Sequence, residues 1–261
     1  MMDQIHSISF IGSGNVATHL ALALKNAGFD IREVYSRTYE NARTLSKKIE
    51  SKAIRTIEEL DPAVDLYVIS LPDGSIKHVV HDFLKVQGIV VHTSGITPMS
   101  VLEKRPHFGV FYPLQTFSKQ REPDMSSVPF CLEASSVEVL VQLKKVASKL
   151  SASVFEINSE QRQYLHLAAV MVNNYSNYLF RMAFDILESK GIDHTLLMPL
   201  IEETISKIKS LHPSVAQTGP ARRKDTETIE KHLQLLEEYQ DYKELYEIFA
   251  QQLTKKYNEQ L

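Results

Sequence analysis

Gly12, Gly14 and Ala17 stand in a Gly-x-Gly-x-x-Ala pattern inside the segment FIGSGNVATHLALALKNAG, Phe10 to Gly28. This spacing serves binding of phosphates rather than bond making. Gly12 permits a tight turn out of a strand, Gly14 keeps side chains away from a pyrophosphate, and Ala17 is small enough for close helix–strand packing. Ser13, Asn15 and Val16 complete the turn and open a helix whose free N–H groups and positive dipole end attract anions. Further on the chain reads Val34-Tyr35-Ser36-Arg37-Thr38. A carboxylate at that place would accept a ribose 2′-OH, whereas an arginine accommodates a 2′-phosphate. Arg37 can pair with such a phosphate through parallel charge-assisted bonds, and Ser36 and Thr38 add hydroxyl donors. The two segments together predict a dinucleotide cofactor, and NADP rather than NAD.

Two more segments follow apolar runs that read as central strands: Leu71-Pro72-Asp73 and His92-Thr93-Ser94-Gly95. Ligands of open α/β sheets bind beyond the carboxyl ends of such strands. Leu71 and Pro72 are expected to pass under the cofactor, and Thr93 to lie near its nicotinamide end. Ser94 and Gly95 can hold a substrate carboxylate or carbonyl through a hydroxyl and a backbone N–H. Asp73 is either part of this site or the turn former of Pro-Asp-Gly. His92 is either an acid–base group or a strand-end histidine satisfied by backbone.

Later in the chain His166 interrupts the apolar stretch QYLHLAAVMVNNYSNYLF, with Asn173 two helical turns beyond it and Asn174 and Asn177 at neighbouring angles. Buried amides require partners, since an unpaired one costs about 1–3 kcal/mol. A substrate pocket would supply them, with His166 as proton donor or acceptor, because an imidazole titrates near neutrality. Asn173 would orient the substrate. A helix–helix hydrogen-bond network or a solvated face would account for the same residues. Gly219 to Asp225 (GPARRKD) concentrates three positive charges. It is either a clamp for an anionic group or a basic helix start capped by Asp225 or Thr226.

The elements that must position these groups follow from hydrophobic periodicity. Strands are predicted at Ser7–Ile11, Ile31–Ser36, Ala53–Ile54, Leu66–Ser70, Ile89–His92, Phe108–Tyr112, Val128–Leu132 and Ser153–Ile157. Helices are predicted at Val16–Ala27, Glu40–Ile49, Ser75–Leu84 and Val137–Leu150, with a helical turn at Ile57–Leu60. This alternation is that of a parallel sheet covered on both faces. From about Ser159 helices take over: Glu160–Lys190, His194–Leu211, Thr226–Glu237 and Tyr239–Asn258. Two domains are therefore expected, residues 1–158 and 159–261.

Composition sets the outer bounds. The chain has 261 residues, 43% of them hydrophobic and 23% charged, with a formal net charge of −3. That balance argues against a nucleic-acid surface. Cys131 is the single cysteine, which rules out an intrachain disulfide and a cysteine metal cluster, and fits a cytoplasmic protein. No His/Asp/Glu set has metal-ligand spacing, so no metal is expected. The N-terminus has no signal-peptide pattern, and no apolar run is long enough to span a bilayer.

Together GSGNVA, VYSRT, ISLPD, VHTSG, FYPLQTF, HLAAVMVNNY and TGPARRKD resemble a bacterial family of Rossmann-like NADP oxidoreductases with a C-terminal helical domain of unknown function. That family often has glycine at the position of Lys224. The two-domain plan also resembles pyrroline-5-carboxylate reductase, ketopantoate reductase and the deazaflavin-dependent NADP oxidoreductases. The resemblance implies an α/β fold, an N-terminal Rossmann-type parallel sheet followed by an all-α domain. It implies NADP on the first domain, a small-molecule substrate held between the two, and a homodimer formed through the helical one. Ketopantoate reductases and β-hydroxyacid dehydrogenases carry a lysine and, four residues later, an asparagine on the first long helix. Here His166 and Val170 stand at those places. The expected function is an oxidoreductase moving hydride to or from a small carbonyl or imine, with His166, Asn173 and Ser94 at the reacting centre. The rivals are an NADP-binding sensor without turnover and a transferase or epimerase that keeps the dinucleotide as a prosthetic group.

Overall fold

The computed structural model describes residues 4–80 and 86–258. Eight strands form one sheet: β1 (Ser7–Ile11), β2 (Asp30–Tyr35), β3 (Lys52–Ile54), β4 (Leu66–Ile69), β5 (Ile89–His92), β6 (Phe108–Pro113), β7 (Phe130–Ala134) and β8 (Val154–Glu156). Their order is β3-β2-β1-β4-β5-β6-β7-β8. All neighbouring pairs are parallel except β6 and β7, which run antiparallel. The chain reverses its direction across the sheet between β1 and β4, the switch point at which open α/β sheets leave a crevice.

The first four helices are α1 (Asn15–Asn26), α2 (Tyr39–Ile49), α3 (Asp73–Val79) and α4 (Val137–Ser148). On α1 the spacing of Ala17, Leu20, Ala21 and Leu24 puts one apolar stripe against the sheet, and all four are fully buried. Burying each leucine contributes roughly 1.5–3 kcal/mol. Gly28, at φ 93°, ends this helix with its N–H on the Lys25 carbonyl. Central strands are apolar on both faces, as parallel strands under two helical layers must be. Phe10, Val68, Val91, Phe111 and Phe130 enter one core, while Ile11, Tyr67, Ile69 and Val90 enter the other.

Several boundaries differ from those expected. The third helix starts at Asp73 with Pro72 at its N-cap, so Asp73 is helical rather than part of a free turn. Residues 81–84 of the helix predicted over Ser75–Leu84 lie outside the described residues. The strand predicted at Val128–Leu132 begins at Phe130, because Met125–Ser127 forms a turn of 3-10 helix just before it.

The first helix of the C-terminal half is α5 (Ser159–Ala169). Asn158 and Gln161 form a reciprocal capping box at its start, with Asn158 Oδ1 accepting from the Gln161 amide at 2.9 Å. The run predicted as one helix over Glu160–Lys190 changes winding at Val170–Tyr175, a π-helical segment, and resumes as α6 (Ser176–Ser189). There follow α7 (Met198–Ser210), α8 (Pro213–Ala216), α9 (Pro220–Arg223), α10 (Thr226–Leu235) and α11 (Gln240–Asn258).

Two compact units result, one ending at Asn174 and the other beginning at Tyr175. The change of pattern at Ser159 therefore precedes the change of unit, because α5 is tied to the sheet. Its Arg162 is 0% exposed. Arg162 Nη1 donates to Glu133 Oε2 at 2.5 Å, and Nη2 donates to the Thr97 carbonyl at 2.6 Å and to Ser159 Oγ at 3.2 Å. Within the second unit Asp225 caps α10 by accepting from the Thr228 amide. Arg222 donates to the Gln217 and Val215 carbonyls. Lys224 takes the left-handed conformation, φ 59° and ψ 33°, at the end of α9, a place glycine fills without steric cost.

Candidate active site

A cavity of about 760 Å³ opens at the carboxyl ends of β1, β4, β5 and β6, and every residue that lines it belongs to the first unit. The glycine turn reaches it at Gly14. Gly12 adopts φ 125°, and a Cβ there would stand 2.1 Å from the Ser70 carbonyl oxygen. Only glycine allows that conformation and that closeness together. Gly14 has open space where its Cβ would stand. Asn15 and Val16, in the first turn of α1, line the cavity beside it. The Asn15 side chain is committed elsewhere, with Nδ2 donating to the Phe117 carbonyl at 2.8 Å. His19 also contacts this segment, its Nε2 2.8 Å from the Ser118 carbonyl and its ring stacked on Phe117. The segment after β6 is thus strapped over the start of α1.

Ser13 and Ser36 face each other, with Oγ to Oγ at 2.9 Å, which joins the glycine turn to the end of β2. Arg37 is exposed and Thr38 is the N-cap residue of α2. Arg55 follows Ile54, which pairs with Tyr35 in register, and its guanidinium lies 3.9 Å over the Tyr39 ring. These residues fit a phosphorylated dinucleotide. Free space at Gly14 and the amides of α1 suit a pyrophosphate. At residues 36–38 there are a guanidinium and hydroxyls, with no carboxylate. Leu71, Pro72 and Thr93 line the same cavity, and Thr93 Oγ1 lies 3.1 Å from Ser70 Oγ.

The loop after β5 differs from expectation. Ser94 lines the cavity, but its Oγ donates to Asp73 Oδ1 at 2.5 Å and accepts from the amides of Ile96 and Thr97. Its hydroxyl proton is therefore committed to Asp73, and the group shapes the loop instead of offering a free donor. His92 is 0% exposed and its Nδ1 accepts from the Ser94 amide at 3.2 Å. Burial, reinforced by the charge of Arg162, pushes its pKa down to about 3. The ring does not line the cavity and its Nδ1 is held by backbone, which favours the strand-end possibility for His92.

His166 is different. It lines the cavity, and its Nδ1 lies 3.1 Å from the Tyr112 hydroxyl. Gly95 touches the ring: a Cβ on Gly95 would stand 2.4 Å from Nδ1 and 2.9 Å from the His166 Cβ. Arg162, one turn earlier on α5, anchors the helix that carries it. Asn173 and Asn174 line the cavity from the π segment, a form of helix that is concentrated at functional sites. They are exposed, as is Asn177, and Asn173 Nδ2 reaches Asn174 Oδ1 only at 3.5 Å. The expectation that these amides are buried and need partners is corrected, because the face that carries them is open in the chain.

Of the residues singled out from the sequence, the structure brings Gly14, Asn15, Val16, Leu71, Pro72, Thr93, Ser94, His166 and Asn173 to one cavity. Gly12, Ser13, Ser36, Arg37 and Thr38 lie outside its lining, at the turn and the end of β2. Sequence reasoning missed Arg162 as an anchor and Tyr112 as the partner of His166. The Asn-x-x-Gln capping signal at Asn158 was present and would have marked where α5 starts.

Residues 7–94 match the family described as NADP oxidoreductase coenzyme F420-dependent. Residues 128–253 match a domain of unknown function, DUF2520. A Bacteroides fragilis protein assigned as an NADP oxidoreductase is 42% identical, with a TM-score of 0.91 over 96% of this chain and 98% of that one. An imine reductase from Myxococcus stipitatus, solved with NADP+, shares the fold at 15% identity and a TM-score of 0.66, over 95% and 93% of the two chains. A 1-pyrroline-5-carboxylate reductase from Streptococcus pyogenes does so at 13% and 0.62, over 95% and 98%. A search of curated protein sequences gives no match.

Proposed function

The chain belongs to the NADP-dependent oxidoreductases that join such a cofactor-binding domain to DUF2520, and on that premise we propose that it reduces a small carbonyl or imine, or oxidises the corresponding alcohol or amine, with His166 as the acid–base group. The observation that carries this is the meeting of the Gly14 turn, Gly95 and His166 in one cavity. Bound NADP supplies or accepts the hydride. The amides of Asn15 and Val16 hold its phosphates, and Arg37 with Ser36 and Thr38 selects the 2′-phosphate. His166 gives a proton to the substrate oxygen or nitrogen at Nε2, or takes one there in the reverse direction. Asn173 orients the substrate, and the Ser94–Asp73 pair fixes the loop whose Gly95 backbone borders it. Among the described residues no helix is long and apolar enough to cross a membrane.

The partner of this chain is proposed to be a second copy. In the second unit α7 has no buried residue, and Leu196 and Leu200 stand 71% and 63% exposed. Exposed apolar side chains grouped along this short segment support an association site. Sedimentation at micromolar concentration is expected to give twice the 29.7 kDa chain mass, and a monomer would refute it.

The test of the chemistry is NADPH oxidation across a panel of cyclic imines and keto compounds, with tight NADPH binding as the reference. His166→Ala is expected to abolish turnover and leave NADPH affinity nearly unchanged. Arg37→Asp is expected to weaken NADPH far more than NADH. Tight binding without turnover on the whole panel, or equal loss of both cofactors in Arg37→Asp, counts against the proposal.

A further inference from the structure

The position of Tyr112 against His166 has a consequence for how the acid–base group works. Tyr112 is the penultimate residue of β6, buried at the cavity wall. Its ring meets the imidazole edge-on, centroids 6.1 Å apart at 74°, with the hydroxyl 3.1 Å from Nδ1. On the same side the Gly95 backbone leaves no room for even a methyl group. The imidazole is thus held at Nδ1 by a hydrogen bond and by contact, and Nε2 is the ring nitrogen left to a ligand.

We propose that Tyr112 is a positioning residue that sets the tautomer of His166, so that the neutral imidazole carries its hydrogen on Nε2 and presents a donor to the cavity. The inference rests on His166 as the acid–base group. Burial raises the phenol pKa to about 12, so the hydroxyl keeps its proton across the working range of pH. Among the described residues the Tyr112 hydroxyl meets no other acceptor than His166 Nδ1, so its hydrogen is best placed there, and a neutral ring whose Nδ1 accepts holds its own hydrogen at Nε2. The same contact serves the charged ring. In the imidazolium Nδ1–H donates and the Tyr112 oxygen accepts, its own hydrogen turning away. When the imidazolium acts as acid, the Nε2–H bond breaks and the proton goes to the substrate heteroatom. The ring is then neutral in the less favoured Nδ1–H form, and it returns to the Nε2–H form when Nε2 takes a proton from water and Nδ1 releases its own. Tyr112 neither gains nor loses a proton in this step, so no tyrosinate forms. The Nε2–H tautomer thereby favours hydrogen-bond donation to a carbonyl or imine over proton abstraction from an alcohol or amine.

The test reads the tautomer directly and needs no substrate. Histidine is labelled with 15N in the full-length protein, and the His166 signals are identified by their loss in His166→Gln. Wild type is expected to show one neutral tautomer, pyrrole-like at Nε2 and pyridine-like at Nδ1. Tyr112→Phe keeps the ring and removes the donor; it is expected to mix the tautomers. With a substrate from the panel it is expected to lower kcat by roughly 10–100-fold, with KM for NADPH within about twofold. Rescue of neither readout is expected from Tyr112→Leu. An Nδ1–H tautomer in wild type, or an unchanged tautomer in Tyr112→Phe, overturns the inference. A His166→Ala variant that turns over normally, beside a tautomer set by Tyr112, overturns the acid–base role instead and leaves the tautomer assignment standing.

Discussion

Replacing Glu133 with glutamine removes one negative charge and almost no volume, and so isolates the charge that Arg162 requires. The Arg162 guanidinium is 0% exposed. Its charge is balanced by Glu133 Oε2 at 2.5 Å, and the Thr97 carbonyl and Ser159 Oγ take the other contacts. Ser159 Oγ itself donates to the same Glu133 oxygen at 2.7 Å. Breaking a buried pair from one side costs about 3–5 kcal/mol, because the remaining charge stays buried. Glutamine can still accept a hydrogen bond from Arg162, and Glu133 is 16% exposed, so the expected loss is nearer about 2–3 kcal/mol. For a unit of this size that corresponds to a fall in Tm of roughly 4–12 °C. The chain has no tryptophan, so urea unfolding is best followed by far-UV circular dichroism. The double variant Glu133→Leu/Arg162→Met removes both charges and is expected to lose less than the single variant. A Glu133→Gln protein within about 0.5 kcal/mol of wild type would show that the guanidinium is solvated and that α5 is not anchored through it.

Two further outcomes follow from the same geometry. Gly95→Ala places a methyl 2.4 Å from His166 Nδ1, so ring and helix must retreat by about 1 Å. A displacement of that size costs on the order of 100-fold in rate, and steady-state turnover within roughly threefold of wild type would refute the contact. His92 has its pKa lowered from 6.5 to about 3 in the folded chain, so below pH 6.5 the unfolded chain binds a proton that the folded one refuses. Stability is then lost as pH falls from 6.5 toward 3. Between pH 6.5 and 5, His92→Asn is expected to flatten the dependence by up to about 1.4 kcal/mol per pH unit. Unfolding free energies with an unchanged slope would place His92 in water.

What the chain states locally, it states legibly. Strands β1, β4 and β5 announce themselves because a parallel strand under two helical layers must be apolar on both faces. The glycine turn is legible for a similar reason. The positive φ of Gly12 and its closeness to the Ser70 carbonyl are demands on a single residue, and glycine is the type that answers them. The antiparallel step from β6 to β7 is not legible, since strand direction leaves no trace in a hydrophobic pattern. Neither is the π segment at Val170–Tyr175, where the hydrogen-bonding partner slips by one residue without any change in composition. That slip matters to the site, because an angle counted at 3.6 residues per turn from His166 no longer gives the direction of Asn173.

The missed residues share a physical cause. Arg162, between Gln161 and Gln163, has the surroundings of a solvated arginine. What buries it is a carboxylate 29 positions earlier and a carbonyl 65 positions earlier. Tyr112 lies 54 residues before His166 and reads as an ordinary strand aromatic. In each case the function of the side chain is a property of a pair, and the pair exists only after β6, β7 and α5 have been laid side by side. His92 shows the converse: the histidine that stands next to the loop motif in sequence is sealed by its own strand, and the one far from it reaches the cavity. An ionisable residue acts where water and ligand can reach it, and access is set by packing. The sequence could therefore identify the cofactor from local conformation, while which of the two histidines reaches the cavity had to wait for the packing of α5 on the sheet.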